Sequence, residues 1–212
     1  RDSLYIIHRW DYRTPIEETM EVLHDLIKAG KVRYIGASAM FAWQFQKALY
    51  TAEKHGWTKF ISMQNHYNLL YREDERELIP LCREEKIALT PYSPLAAGRL
   101  ARPYGETTRR YETDEIAKRK YDSTKDVDKP IIDRVEEIAK NRGVSMAQVA
   151  LSWLMNKYKD IVVVPIIGVT KISQLEDAVN AVSVKLTQEE IKYLEEPYVP
   201  HPIVGPLLPP QE

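Results

Sequence analysis

The sequence predicts an α/β fold built on a parallel sheet. Five short apolar segments alternate with helical segments, which is the pattern of repeated strand–helix units. The first four strands start about 28 residues apart, and no strand is followed by a G-x-G-x-x-G motif, so a (β/α) barrel is favoured over a Rossmann sheet. A (β/α)₈ barrel has eight strands. The chain is therefore expected to supply about five of the eight units, with roughly 100 residues of barrel preceding it.

Each predicted strand is short and rich in aliphatic residues. The first, Leu4 to Ile7, has no polar residue, which is typical of a strand buried on both faces. It ends in His8 and Arg9, which a core would not accept without partners. The remaining four strands are predicted over residues 31–38, 59–65, 87–94 and 160–165.

The helices are predicted from periodicity and from capping signals. In residues 16–28 the apolar positions recur near every 3.6 residues, Pro15 stands at the start and Gly30 follows the end. Ser145 predicts the N-cap of a later helix, and Thr187 with Glu190 forms the pattern of a capping box. The other helices are predicted over residues 41–53, 73–86, 130–141, 146–158 and 173–182.

Two segments break the alternation of the single domain, which is predicted to extend over residues 1–212. Residues 96–128 are highly charged and poor in apolar residues, so they predict a long loop insert, either a lid or a disordered segment. Residues 197–212 contain six of the thirteen prolines and predict an extended tail.

The composition excludes several classes of partner. The net charge is −1 without charged blocks, so neither nucleic acid nor an anionic membrane surface is expected as a partner. Cys82 is the only cysteine, which excludes an internal disulfide and favours a reducing, cytoplasmic location. No apolar run approaches the roughly 20 residues that cross a bilayer.

Polar residues follow the strands at the points where the strands end. In a parallel barrel these ends share one rim, where such folds place their chemistry. Gly168 and Lys171 stand just before a helix, where free backbone N–H groups and the helix dipole favour a phosphate. A surface histidine that caps a turn remains the ordinary alternative for His8. The rim residues are His8, Ser38, Gln64, Asn65, Tyr92, Ser93, Gly168, Thr170 and Lys171.

Five sequence blocks, in order along nearly the whole chain, resemble the aldo-keto reductases. These proteins are (β/α)₈ barrels that reduce carbonyl groups with NADP(H), and the similarity is greatest to the branch with aryl-alcohol dehydrogenase-like and norsolorinic-acid-reductase-like members. Potassium-channel β subunits belong to a related branch. The blocks are L-Y-I-I-H-R from Leu4, I-K-A-G-K-V-R-Y-I-G-A-S from Ile27, Q-N-x-Y-N-L-L from Gln64, P-Y-S-P-L-x-x-G from Pro91, and residues 168–177.

The resemblance implies a role for each matching position. His8 matches the active-site histidine that orients the carbonyl of an aldehyde or ketone, and Tyr92 matches the aromatic residue against the nicotinamide ring. Trp10, beside His8, is a candidate for lining the substrate pocket. The remaining matches are to groups that hold the cofactor: Ser38 and Gln64 at the carboxamide, Ser93, Leu95 and Gly98 along the pyrophosphate, and Gly168, Thr170, Lys171, Gln174 and Asp177 at the adenosine phosphate.

The family's general acid, a tyrosine of an Asp-[Thr/Ser]-Ala-x-x-Tyr-Gly motif supported by a lysine, has no match in the 212 residues. Tyr104–Gly105 lacks the rest of the motif and is interpreted as structural. Three hypotheses follow: part of an NADP-dependent reductase, a non-catalytic NADPH-binding or regulatory protein, or a pseudo-enzyme that binds no ligand. Five strands cannot close a barrel, so self-association is expected to cover the open edges, in preference to a partner chain or the tail.

Overall fold

The computed structural model describes residues 2–107 and 109–209, and its centre is a parallel sheet with the strand order β1-β2-β3-β4. In the register, Leu4 pairs with Tyr34, Ser38 with Gln64, and Ser62 with Ala88. The first four predicted strands are confirmed, although the third and fourth are shorter than expected. The bounds of the four strands are Asp2–Ile7 (β1), Val32–Ser38 (β2), Ser62–Gln64 (β3) and Ala88–Leu89 (β4).

The fifth predicted strand, residues 160–165, is reduced to a single parallel bridge between Val163 and Leu89. The Leu89 N–H donates to the Val162 carbonyl at 2.9 Å, and the Val164 N–H donates to the Leu89 carbonyl at 2.8 Å. Pro165 follows and has no N–H with which to extend a ladder. The segment therefore lies beside β4, where a fifth parallel strand belongs, without forming a regular strand.

Nine α-helices are present in the described residues, and the predicted ones are found with small changes at their ends. The prediction for residues 73–86 is partly wrong, because a 3₁₀ turn at Glu73–Glu75 precedes a helix of only seven residues. The bounds are Ile16–Lys28 (α1), Ala42–His55 (α2), Leu78–Glu84 (α3), Arg109–Thr113 (α4), Glu115–Tyr121 (α5), Lys125–Arg142 (α6), Met146–Asn156 (α7), Ile172–Asn180 (α8) and Gln188–Glu195 (α9). None of these helices is long and apolar enough to cross a membrane.

Residues 96–128, predicted as a loop insert, are largely helical over their described part, which excludes residue 108. A 3₁₀ segment at Ala96–Ala101 is followed by α4, α5 and the first turn of α6. Ala117 and Tyr121 of α5 are buried. One face of α5 is therefore packed against the domain. The sequence did not predict this, because most of the segment is charged.

The core lies between the sheet and the helices that flank it. Its largest fully buried side chains include Trp153, Tyr67 and Phe45. β1 is an exception to the expectation of burial on both faces: none of its residues 3–7 is buried, and Tyr5 is 44% exposed. The reason is its position at the edge of the sheet, with β2 as its only neighbour.

The described part of the tail, residues 197–209, is non-helical and packs along the carboxyl ends of the strands; residues 210–212 lie outside the described residues. The Val204 N–H donates to the Tyr71 hydroxyl at 3.0 Å, and the Tyr12 hydroxyl donates to the Leu207 carbonyl at 2.9 Å. Gly205, at φ +115°, lies so close to the Tyr92 hydroxyl that a Cβ there would stand 2.9 Å from it. The tail therefore runs beside the predicted rim.

Candidate cofactor-binding site

A groove of about 660 Å³ is enclosed by the loop after β4, by α5 and by the residues that lead into α8. The two sequence blocks that the resemblance assigns to pyrophosphate and adenosine phosphate are 70 residues apart in the chain, and both line this groove. Eight of the eleven predicted cofactor residues lie in its walls: Ser93, Leu95, Gly98, Gly168, Thr170, Lys171, Gln174 and Asp177.

The loop after β4 carries several strained residues. Ser93, Ala96 and Ala97 adopt φ of +56°, +48° and +55°, in the left-handed region that non-glycine residues avoid. Such conformations cost about 1–3 kcal/mol each and gather at ligand sites. The Asn68 amide donates to the Ser93 carbonyl at 2.9 Å and holds the turn. At Gly98 a Cβ would stand 2.6 Å from Arg102 Nη1. Because glycine has no Cβ, the Arg102 guanidinium can pack against it in the wall of the groove.

The start of α8 differs from the expectation of free backbone N–H groups. The N–H groups of Thr170 and Lys171 both donate to Gln174 Oε1, at 2.8 and 3.1 Å. Asp177 accepts from Ser145 Oγ at 2.7 Å and from Gln148 Nε2 at 2.6 Å, which ties α8 to α7. In this conformation, Gln174 caps the helix and Asp177 anchors it.

The other predicted residues lie outside the groove lining, at the ends of the strands. His8 is exposed directly after β1, and the half-buried Trp10 packs against Trp43 with 5.8 Å between ring centroids. The buried Ser38 hydroxyl donates to the Gln64 carbonyl at 2.8 Å, which links the ends of β2 and β3.

Tyr92 belongs to a cluster of rings that the sequence interpretation missed. Its ring stacks on His66, with 5.1 Å between centroids, and His66 Nε2 lies 2.7 Å from the Tyr121 hydroxyl. Burial, and then the charge of Lys120, hold the pKa of His66 well below its usual value, so the imidazole is neutral. The available signal was the close grouping of His66, Tyr67 and Tyr71 directly after the strand.

Two cations of the groove, Arg102 and Lys120, were also missed, because residues 96–128 had been assigned to a loop. With Lys171 they give the groove three cations, and its lining also contains the carboxylates of Asp114 and Asp177. Among the side chains described in residues 3–107 and 111–209, no carboxylate lies within 4.0 Å of the three charged groups. This charge suits an anionic ligand. The described residues contain no group of three His, Cys, Asp or Glu side chains that could hold a metal ion.

Tyr104 does not have the environment of a general acid. Its hydroxyl donates to Asp126 at 3.1 Å, and desolvation together with this carboxylate raises its pKa. A tyrosine that transfers protons near neutral pH needs the opposite shift. The geometry agrees with the structural interpretation of Tyr104–Gly105.

Residues 2–198 of the 212 match the model of the aldo/keto reductase family. The chain belongs to this family. Over 201 residues it is 50% identical to the versiconal hemiacetal acetate reductase of Aspergillus parasiticus, and over 199 residues it is 47% identical to a putative aryl-alcohol dehydrogenase of Saccharomyces cerevisiae. Each match covers 93% of this chain and 57% of the relative, so the chain spans little more than half of the curated relatives it matches.

The fold agrees with the family. The structure is similar to that of a thermostable aldo-keto reductase solved with the inhibitor epalrestat, with a TM-score of 0.67, 28% identity, and coverage of 92% of this chain and 59% of the other. The predicted fold class, a (β/α)₈-barrel relative, is confirmed by the family and by this likeness.

Proposed function

We propose that the chain forms the NADP(H)-binding part of an oxidoreductase that reduces an aldehyde or a ketone to an alcohol. The observation that carries the proposal is the groove, where two distant sequence blocks supply eight of the predicted cofactor residues. Three cations in the same walls suit the phosphates of a dinucleotide. The names of relatives, a reductase and a putative dehydrogenase, support this class of reaction.

Different residues of the site would bind different parts of the cofactor. Ser93, Leu95, Gly98 and Arg102 would hold the pyrophosphate, and Lys171, at the positive end of α8, would hold the 2′-phosphate. Tyr92, Ser38 and Gln64 would hold the nicotinamide. When bound, the cofactor supplies hydride to the carbonyl carbon. His8, exposed at the end of β1, would orient the carbonyl oxygen.

Proton transfer is the step for which the 212 residues lack the family's group. The resemblance assigns it to a tyrosine, with a lysine and an aspartate, that has no match here, and Tyr104 has a raised pKa. General acid catalysis contributes about 10²–10⁴ to a rate. We infer that the chain alone reduces carbonyls at most slowly, and that rapid reduction needs a segment that supplies this acid.

The second candidate function, NADPH binding without reduction, is favoured by the same missing motif. To separate the two, the decrease of absorbance at 340 nm is followed with NADPH and a panel of aldehydes that includes nitrobenzaldehyde. Turnover that is lost in His8→Ala supports the reductase. Saturable NADPH binding without turnover supports the regulatory alternative, and absence of binding supports the third hypothesis, a pseudo-enzyme without ligand.

Two further parts of the proposal concern the cell and the assembly. We place the protein in the cytoplasm, because its single cysteine, Cys82, is buried and unpaired, as is usual in reducing compartments. We also propose self-association across the open edges of the sheet, and no nucleic-acid or membrane partner.

A further inference from the structure

His66 lies beside Tyr92, the residue that is expected to lie against the nicotinamide. The two residues form a parallel bridge just past the ends of β3 and β4, and the Tyr92 N–H donates to the Asn65 carbonyl at 2.9 Å. Paired residues of neighbouring strands point their side chains to the same face of a sheet. The backbone register therefore brings the two rings together.

The His66 ring belongs to a stack of three rings. It is within 8° of parallel to the Tyr92 ring, with 5.1 Å between the centroids, and within 17° of parallel to the Tyr71 ring, with 4.2 Å between the centroids. His66 and Tyr71 are buried, and Tyr92 is half-buried. Closely packed rings have little freedom to turn, so the stack fixes the plane of the Tyr92 ring.

The edge of the same imidazole is joined to α5. His66 Nε2 is hydrogen-bonded to the Tyr121 hydroxyl at 2.7 Å, and Asn68 Nδ2 donates to that hydroxyl at 3.1 Å. The same amide group also donates to the Ser93 carbonyl at 2.9 Å, in the loop after β4. His66, Asn68 and Tyr121 are almost fully buried. These contacts connect α5 and the loop after β4, which form two walls of the groove, with the ring stack.

An imidazole in this stack costs free energy that an apolar ring would not. His66 Nδ1 is buried and has no hydrogen-bond partner among the groups that the structure describes. A buried polar atom without a partner destabilises a fold. A phenylalanine would stack on both tyrosines without this cost. What the histidine adds is the hydrogen bond to Tyr121.

We propose that His66 is a positioning residue for the nicotinamide end of the cofactor site. Its stacking sets the plane of Tyr92, and its hydrogen bond to Tyr121 sets the position of α5 relative to that plane. His66 itself is absent from the lining of the groove, so it acts through these two residues. The inference rests on the proposed function, because it takes NADP(H) as the ligand whose nicotinamide lies against Tyr92.

The test compares NADPH with 2′,5′-ADP, which carries the adenosine 2′-phosphate but no nicotinamide, by isothermal titration calorimetry of the 212-residue chain. His66→Phe keeps a ring in the stack and removes the hydrogen bond, Tyr121→Phe removes the same bond from the other side, and His66→Ala removes both interactions. The matched control is His55→Ala, which removes a histidine that stacks on Trp57 at 4.4 Å, outside the groove lining. Circular dichroism and melting curves verify that each variant folds.

We expect His66→Phe and Tyr121→Phe to weaken NADPH binding by about fivefold, the size of one neutral hydrogen bond, and His66→Ala to weaken it by more than about tenfold. The affinity for 2′,5′-ADP should change by less than about twofold, because this ligand does not reach Tyr92. A variant that merely loosened the fold would weaken both ligands alike. Equal losses for NADPH and 2′,5′-ADP, or no loss for either, would overturn the inference.

Hydrogen exchange of the unliganded chain separates this inference from the proposed function. We expect the amides of α5 to exchange at least about fivefold faster in His66→Phe and in Tyr121→Phe than in the unsubstituted chain, while the amides of α1 keep their rates. If neither ligand binds but α5 exchanges faster, the proposed function is rejected and the link between His66 and α5 is kept. If both ligands bind with unchanged affinities and α5 exchange is unchanged, this inference is rejected and the proposed function is kept.

Discussion

The His201 imidazole of the tail lies 2.8 Å from the Asp128 carboxylate of α6, and both side chains are almost fully buried. The ring also stacks on Tyr198, with 5.3 Å between centroids, while the His201 N–H donates to Glu73 at 2.8 Å. Asp128 accepts a second hydrogen bond from Thr124. The tail, which the sequence predicts only as extended, is therefore held against the domain by a buried ion pair.

This pair predicts a pH-dependent contribution to stability. Burial alone would lower the pKa of His201, but the hydrogen bond and the charge of Asp128 outweigh it, so the pKa lies above its usual value. The stabilisation is complete below the unfolded pKa of about 6.5 and is lost as the pH rises through the folded pKa. We expect His201→Phe to lower the free energy of unfolding by about 1–3 kcal/mol at pH 6, and by less at pH 9.

Urea denaturation at the two pH values measures this difference. The control is His55→Phe, which changes an exposed histidine at the end of α2. A loss that is the same at pH 6 and at pH 9 would show that His201 acts through packing and not through its charge.

Asp74 also predicts a loss of stability as the pH rises, but here the substitution is expected to stabilise the protein. Burial raises the pKa of this carboxyl to about 7, although the hydrogen bond from Asn65 acts against the shift. A folded pKa above the unfolded value means that stability falls as the pH rises from about 4 to 7. We expect Asp74→Asn to stabilise the protein by about 1–3 kcal/mol at pH 8, and to have little effect near pH 4. Thermal melts of the two proteins across this range test it, and a variant less stable at pH 8 would contradict it.

Lys171 predicts the choice of cofactor. Its position just before α8 places a positive charge at the end of the groove assigned to adenosine phosphate. We expect Lys171→Glu to weaken NADPH binding by at least about tenfold and NADH binding much less, because only NADPH carries a 2′-phosphate. Fluorescence titrations measure both dissociation constants, with Lys185→Glu as an exposed control. An equal loss for both cofactors would show that Lys171 does not contact the 2′-phosphate.

The open edges of the sheet predict that the chain associates with further copies of itself. β1 has one neighbour, and on the other side of the sheet Val162 and Val164 are 64% and 53% exposed. Exposed aliphatic edges pair or aggregate, so we expect a dimer or a larger species at micromolar concentration. Light scattering measures the mass. A stable monomer with one cooperative melt would exclude self-association.

Most of the local structure could be predicted from the sequence, because it depends on short-range patterns. The bounds of α1 match the prediction, and the strands of the sheet follow the expected parallel order. The helix α5 was missed because its apolar face consists of little more than Ala117 and Tyr121 among many charges. The short β4 was overestimated because a proline follows soon after it, at residue 91.

The candidate site could be predicted only where it is carried by contiguous motifs. The blocks around Ser93 and Lys171 are found on one groove, as the resemblance implies. Arg102 and Lys120 could not be predicted, because their place depends on the packing of the charged segment. The capping of Thr170 and Lys171 by Gln174 depends on one side-chain rotamer, which a sequence pattern does not specify.

The most direct test of the proposed function is a titration of the 212-residue chain with NADPH, followed by the change in nicotinamide fluorescence. We predict saturable binding of one NADPH per chain, which weakens as salt is added because phosphate contacts carry much of the affinity. Gly98→Val should reduce it strongly, because a side chain there would displace Arg102, while Gly56→Val, also at a left-handed position but with no neighbour within 4 Å, should not. A folded chain that shows no saturable change up to millimolar NADPH would contradict the claim that this groove holds the cofactor.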